Sequence, residues 1–115
     1  MQIQERIVGS VAIVELAGDI VLNNGDVLLK DKVRSLIQQG FRRLVVDLGN
    51  VGYMDSAALG ALVQAQANTR RAGGTMKLMR LTSKLQDLLT ITKLVTVFDT
   101  YDNEAEALAS FSISA

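Results

Sequence analysis

The chain has 115 residues, 49% of them hydrophobic, and its 12 Lys and Arg residues balance its 12 Asp and Glu residues. This composition is typical of a globular protein, and a net charge of zero argues against nucleic acid or a membrane surface as a partner. Cysteine and histidine are absent, which excludes disulfides, the usual zinc ligands and a histidine base. We therefore expect no enzymatic activity, no cofactor and no metal site.

The N-terminal segment predicts a β-hairpin. Two β-rich runs flank Gly9 and Ser10, and glycine at the first turn position suits the positive φ of a type II′ turn. The first run is mixed in polarity, as in an edge strand, whereas residues 11–16 are almost entirely apolar, as in a strand covered on both faces. The segment lacks the basic start and long apolar run of a signal peptide, so we expect a cytoplasmic protein that does not insert into a membrane.

Helical and strand patterns alternate along the rest of the chain. Leucine, valine and isoleucine recur at helical spacing before Gly40, which is a typical stop signal. The later segments predict, in order, a buried strand at 42–48, a helix at 57–72, a strand at 75–81, a helix capped by Thr82 or Ser83, a strand at 94–98 and a helix at 102–111.

This alternation indicates βαβ units with right-handed crossovers. We therefore expect an α/β fold in a single compact domain over residues 1–115. The sheet should be mixed but mostly parallel, with about four or five strands, an N-terminal hairpin and about four helices.

Charged residues cluster in the C-terminal third of the chain. Basic residues between Arg70 and Lys93 precede acidic residues between Asp99 and Glu106. The pattern is typical of a solvated surface with mutual ion pairs, which is the expectation here. A phosphate or nucleotide site built from the basic residues is the alternative.

The pair Asp55-Ser56 stands where an apolar strand pattern gives way to an apolar helix pattern. Either side chain could accept a hydrogen bond from the first helical turn and so cap the helix. The preceding loop follows the carboxyl end of a central strand, where open parallel sheets usually place their working surface. Tyr53 and Met54 are unusually large and apolar for such a loop, and they either pack beneath the helix or contact a partner.

Four segments resemble the STAS family, which comprises anti-sigma factor antagonists and related domains of sulfate transporters. DLGNVGYMDSAALGALV, residues 47–63, resembles the family signature, in which Met-Asp-Ser precedes two small residues, Leu and Gly. VAIVELAGDI, RRAGGTMKLM and VFDTYDNEAEALASF resemble the family's second strand, its Gly-Gly entry to the next strand and its C-terminal helix. The resemblance covers nearly the whole chain and implies a STAS-like fold.

For function, the resemblance implies a binding switch. Bacterial antagonists of this kind bind a serine kinase that is also an anti-sigma factor, and the kinase inactivates them by phosphorylating the serine that corresponds to Ser56. A partner serine phosphatase reverses the modification. The implied partner-binding surface around that serine comprises Asp19, Val21, Asn23, Tyr53, Met54, Asp55, Ala57 and Ala58.

Two positions depart from the family pattern. Val21 stands where phosphorylated antagonists commonly carry Asp, and Ala57-Ala58 stands where Ser-Gly is frequent. The missing carboxylate affects the docking of the kinase if the turn around Val21 belongs to the partner surface.

Other functions remain open at this point. Within the family, the alternative is a STAS subunit of a signalling or lipid-transport complex in which Ser56 is only a helix cap. From a different class, an enzyme could use Asp47, Asp55 and Asp99 near strand ends, although the missing histidine and cysteine argue against it. We expect a monomer or a weak dimer.

Overall fold

A computed structural model describes residues 1–112, in which five strands and four helices are formed. In chain order these elements are β1 (Gln2–Val8), β2 (Val11–Ala17), α1 (Asp26–Gln38), β3 (Arg43–Asn50), α2 (Ser56–Arg71), β4 (Thr75–Met79), α3 (Ser83–Ile91), β5 (Thr100–Tyr101) and α4 (Glu104–Ser112).

The sheet has the strand order β1-β2-β3-β4-β5. β1 runs antiparallel to β2, and the remaining neighbours are parallel. Val14 of β2 pairs with Val46 of β3, which in turn pairs with Leu78 of β4. The predicted α/β fold with a mixed, mostly parallel sheet is therefore confirmed.

The N-terminal hairpin is also confirmed. Val8 pairs with Val11 across the two turn residues, and Gly9 takes the positive φ of 60° that a type II′ turn requires at this position. β1 is largely exposed, as expected of an edge strand, whereas β2 is buried along most of its length.

Alternate residues of the inner strands point into two separate cores. Val14 and Val46 face the larger core, which is closed by α1, α2 and α3, whereas Ile13 and Val45 face a smaller core under α4. This alternation across a sheet covered on both faces explains why the inner strands are mostly apolar. Within residues 1–112, no helix is both long and apolar enough to span a membrane.

The prediction of a strand at 94–98 is wrong. α3 ends at Ile91, Lys93 takes a left-handed φ of 61°, and the Leu94 amide donates to the Leu89 carbonyl over 2.8 Å. The segment then continues in turns that bury Phe98 against the larger core. A short apolar run is consistent with a buried strand, but a buried irregular segment has the same composition.

Within residues 1–112, no ion pair joins the basic residues between Arg70 and Lys93 to the acidic residues between Asp99 and Glu106, although such pairs were expected. Arg80 Nε instead donates to Asp47 Oδ1 over 2.9 Å, and Arg6 of β1 pairs with Glu104. These partners are far apart in the chain, and the sheet brings them together. Lys77, expected on a solvated surface, is buried under α4. Its Nζ lies 4.4 Å from the centroid of an aromatic ring of that helix.

Candidate functional site

Two connections meet at the carboxyl edge of the sheet, namely the turn 18–24 after β2 and the loop 51–55 after β3. The Ile20 amide donates to the Tyr53 carbonyl over 2.9 Å, and the Asp55 amide donates to the Ile20 carbonyl over 3.2 Å. The turn and the loop therefore form one continuous surface beside the start of α2, where the sequence predicts the partner-binding surface.

Asp55 caps α2 and also binds the neighbouring turn. Its Oδ1 atom accepts the Ala58 amide over 2.9 Å, and its Oδ2 atom accepts the Leu22 amide over 2.9 Å. These hydrogen bonds, the one from Ala58 first and the one from Leu22 second, stabilise the carboxylate and lower the pKa of Asp55 below its ordinary value. The side chain therefore remains ionised at neutral pH and fixes two segments at once.

Ser56 is the first residue of α2, and its side chain is exposed. The sequence left open whether Asp55 or Ser56 caps the helix, and the structure assigns the cap to Asp55. The expectation, within the family alternative, that Ser56 caps the helix is therefore wrong. Within residues 1–112 we find no hydrogen bond to the Ser56 hydroxyl, which is presented to solvent at the positive end of a helix.

The structure separates the predicted contact residues by burial. Asp19, Asn23 and Tyr53 are exposed, Val21, Asp55 and Ala57 are half-buried, and Met54 and Ala58 are buried. Met54 and Ala58 belong to the larger core, so their side chains support the surface from beneath. A Cβ atom at Gly52 would lie 3.3 Å from Asp19 Oδ1, which places the Asp19 carboxylate against the loop.

Exposed apolar side chains concentrate on the same side of the molecule. The large hydrophobic residues that are exposed in the described part of the chain are Ile7, Leu22, Val27, Leu28, Tyr53 and Ile91. Leu22 and Tyr53 lie in the turn and the loop that meet at Asp55. Val27 and Leu28 occupy the first turn of α1, directly after that turn. Ile7 lies in β1 next to the hairpin turn, at the end of the sheet where the parallel strands begin.

An apolar groove of about 240 Å³ continues this surface toward α3. Tyr53 and Met54 line it from the loop, and Leu88 and Ile91 line it from the helix. Lys84 Nζ lies 5.9 Å from the centroid of the Tyr53 ring, where a cation–π contact is possible. Sequence reasoning singled out Tyr53 but missed Leu22 and Ile91.

The three carboxylates of the enzymatic alternative do not form one site. Asp47 is engaged by Arg80, Asp55 by two backbone amides, and Asp99 is exposed. Within residues 1–112, no three acidic side chains are grouped as a metal ion would require. Asp47 and Asp55 thus have structural partners, whereas Asp99 faces solvent.

A family model described as the STAS domain matches residues 2–107. An anti-sigma F factor antagonist of Paenibacillus polymyxa is 25% identical over 98% of this chain and 97% of its own length. An anti-sigma-B factor antagonist of Bacillus subtilis is 36% identical over 75% of this chain and 77% of its own length.

The structure of the Bacillus cell fate determinant SpoIIAA in its phosphorylated form covers 96% of this chain and 99% of its own, with a TM-score of 0.73 at 16% identity. At that identity the likeness shows a shared fold.

Proposed function

The chain belongs to the STAS domain family, and we propose that it is an anti-sigma factor antagonist, which binds an anti-sigma factor serine kinase and loses this partner when Ser56 is phosphorylated. The two relatives that carry the name of antagonist support the first part of this proposal. According to this proposal, the chain has no enzymatic activity and acts in the cytoplasm, where the sigma factor, the kinase and a serine phosphatase are also present.

The observation that supports the proposal most directly is the position of Ser56 among exposed apolar residues. Contiguous exposed apolar surface on a small domain is typical of a protein-interaction site. Leu22 and Tyr53 supply such surface on either side of Asp55, and the groove toward Ile91 extends it. A partner that covers this surface would also cover the Ser56 hydroxyl.

Phosphorylation at this position would act on the contact and not on the fold. The helix cap belongs to Asp55, so modifying Ser56 leaves the cap in place. A phosphate adds a charge of roughly −1.5 to −2 at neutral pH. Beside the ionised Asp55 carboxylate, that charge would have to be desolvated against an apolar partner surface, which is strongly unfavourable.

Mass spectrometry after incubation with ATP and the anti-sigma factor kinase of the source organism tests the proposal. We expect one phosphate on Ser56 of the wild-type chain and none on Ser56→Ala, which should still bind the kinase. Phosphate found only on other residues, with Ser56 unmodified, would contradict the switch. Absence of any binding between the wild-type chain and the kinase would contradict the proposal as a whole.

A further inference from the structure

Leu22 has an unusual combination of exposure and rigid support. Its side chain is 63% exposed and therefore contributes little to the core. The turn around it is closed by two backbone hydrogen bonds between Val21 and Asn24, each of 2.9 Å. Leu22 and Asn23 are the two central residues of this turn, and Asn23 takes a left-handed φ of 63°.

A carboxylate holds each of the two central amides. Leu22 N–H donates to Asp55 Oδ2 over 2.9 Å, and Asn23 N–H donates to Asp26 Oδ1 over 3.0 Å. Asp26 is buried in the first turn of α1. Amides at the tip of a tight turn ordinarily face water, whereas here both make charge-assisted hydrogen bonds, which are stronger than neutral ones. The backbone at Leu22 is therefore held in one position, and its side chain is directed outward.

From this arrangement we propose that Leu22 is an anchor residue of the contact with the anti-sigma factor, and that Asp55 is the positioning residue that holds it in place. The inference rests on the proposed function and adds a residue outside the contact set expected from the sequence. A residue whose backbone is already ordered loses little backbone entropy on binding. The complementary feature on the partner is an apolar socket next to the site that receives Ser56.

Asp55 links Leu22 and Ser56 structurally. The same residue that precedes Ser56 in the chain holds the Leu22 amide, so the anchor and the phosphorylation site approach the partner together. The apolar socket for Leu22 must be desolvated on binding, and a phosphate on Ser56 would place charge at its edge. In this arrangement Leu22 supplies affinity, and the modification of Ser56 removes it.

Calorimetric titration of the anti-sigma factor kinase with Leu22→Ala and Ile7→Ala tests the anchor. Both variants shorten an exposed aliphatic side chain, and Ile7 lies at the end of the sheet where the parallel strands begin. We expect Leu22→Ala to weaken binding by about tenfold or more, as truncation of an anchor residue does, and Ile7→Ala to change it by less than about twofold. Both melting temperatures should remain close to that of the wild type.

Asp55→Asn tests the positioning role, because asparagine caps helices well but has only one side-chain oxygen. If that oxygen keeps the Ala58 amide, the Leu22 amide loses its acceptor. We expect hydrogen exchange at the Leu22 amide to accelerate by about tenfold or more, while the Ala58 amide stays protected. We also expect Asp55→Asn to weaken kinase binding in the wild type but to add little in the Leu22→Ala background, because its effect passes through Leu22.

The outcomes separate the two levels of the proposal. Failure of the wild-type chain to bind the kinase would overturn the proposed function and this inference with it. Wild-type binding that Leu22→Ala leaves unchanged would overturn the anchor alone. Unchanged exchange at the Leu22 amide in Asp55→Asn, or independent effects of the two substitutions on affinity, would overturn the positioning role.

Discussion

The Oδ2 atom of Asp55 accepts the backbone N–H of Leu22, a residue 33 positions earlier in the chain, over 2.9 Å. Because the other oxygen of the carboxylate caps α2 through Ala58, one side chain sets both the start of the helix and the position of the neighbouring turn. Ser56 directly follows Asp55 in the chain but takes part in neither of these two hydrogen bonds. The site thus separates the residue that builds the surface from the residue that we propose is modified.

Substitution of Asp55 and Ser56 by alanine should have different effects on stability. Asp55→Ala removes the cap, and we expect the free energy of unfolding to fall by about 0.5–2 kcal/mol. Ser56→Ala removes an exposed hydroxyl at the first helical position and should change it by less than about 0.5 kcal/mol. Urea denaturation of both variants measures the two values. A loss for Ser56→Ala as large as that for Asp55→Ala would show that the serine caps the helix after all.

Acid should remove part of the stabilisation that Asp55 provides. The hydrogen bonds from Ala58 and Leu22 lower the pKa of the folded carboxyl below its ordinary value of 3.8. Since the folded state holds its proton less tightly than the unfolded state, the stabilisation is fully present above the ordinary pKa and is lost as the pH falls through the folded pKa.

The wild-type chain should therefore lose stability relative to Asp55→Asn as the pH falls from about 5 through the ordinary pKa of 3.8 and below it, because asparagine does not titrate. Denaturation curves of both proteins across this range give the difference directly. A difference that does not change with pH, or that grows as the medium becomes more acidic, would contradict the role assigned to the carboxylate.

The paired centres of β2, β3 and β4 show how far sequence patterns determine this fold. Val14, Val46 and Leu78 lie at the middle of apolar runs flanked by turn and cap residues, so their alignment follows from the pattern. The 94–98 segment is equally apolar but has no periodicity that distinguishes a strand from a buried turn.

The location of the candidate site could be predicted from the sequence, but the side chains exposed on its surface could not. The meeting of the turn 18–24 with the loop before Ser56 agrees with the resemblance to the STAS family. Leu22 could not be recognised as a surface residue from the sequence, because a leucine in a polar turn can equally well be buried in the core or exposed to a partner. The burial of Lys77 likewise depends on Phe111 of α4, which the fold brings over it from a distant part of the sequence.

Lys93 should be replaceable by glycine with a gain in stability. Lys93 follows the C-cap of α3 with a left-handed φ of 61°, a conformation that a side chain disfavours and glycine adopts freely. We expect Lys93→Gly to raise the free energy of unfolding by about 0.5–1 kcal/mol. Gln86→Gly, at an exposed position inside the same helix, is the matched control and should lower it by about 1 kcal/mol. Equal losses in both variants would contradict the strain assigned to Lys93.

A side chain at Gly49 should force the Arg80 guanidinium out of its contact with Asp47. A Cβ atom at Gly49 would lie 2.6 Å from Arg80 Nη2, so Gly49→Ala must displace the guanidinium that binds Asp47. We expect Gly49→Ala and Arg80→Ala each to lower the free energy of unfolding by about 1–2 kcal/mol. The double variant should be little worse than either single variant, because both remove the same contact. Additive losses in denaturation experiments would show that the two residues act independently.

The central claim, a binding surface controlled at Ser56, is tested most directly by comparing the affinity of the anti-sigma factor kinase for the unmodified chain and for the chain phosphorylated at Ser56. Calorimetric titration of both forms, after circular dichroism has shown that both are folded, gives the ratio of dissociation constants. We predict that phosphorylation weakens binding by about 100-fold or more, since it places a phosphate beside the Asp55 carboxylate in an apolar contact. Equal affinities of the two folded forms would contradict the account.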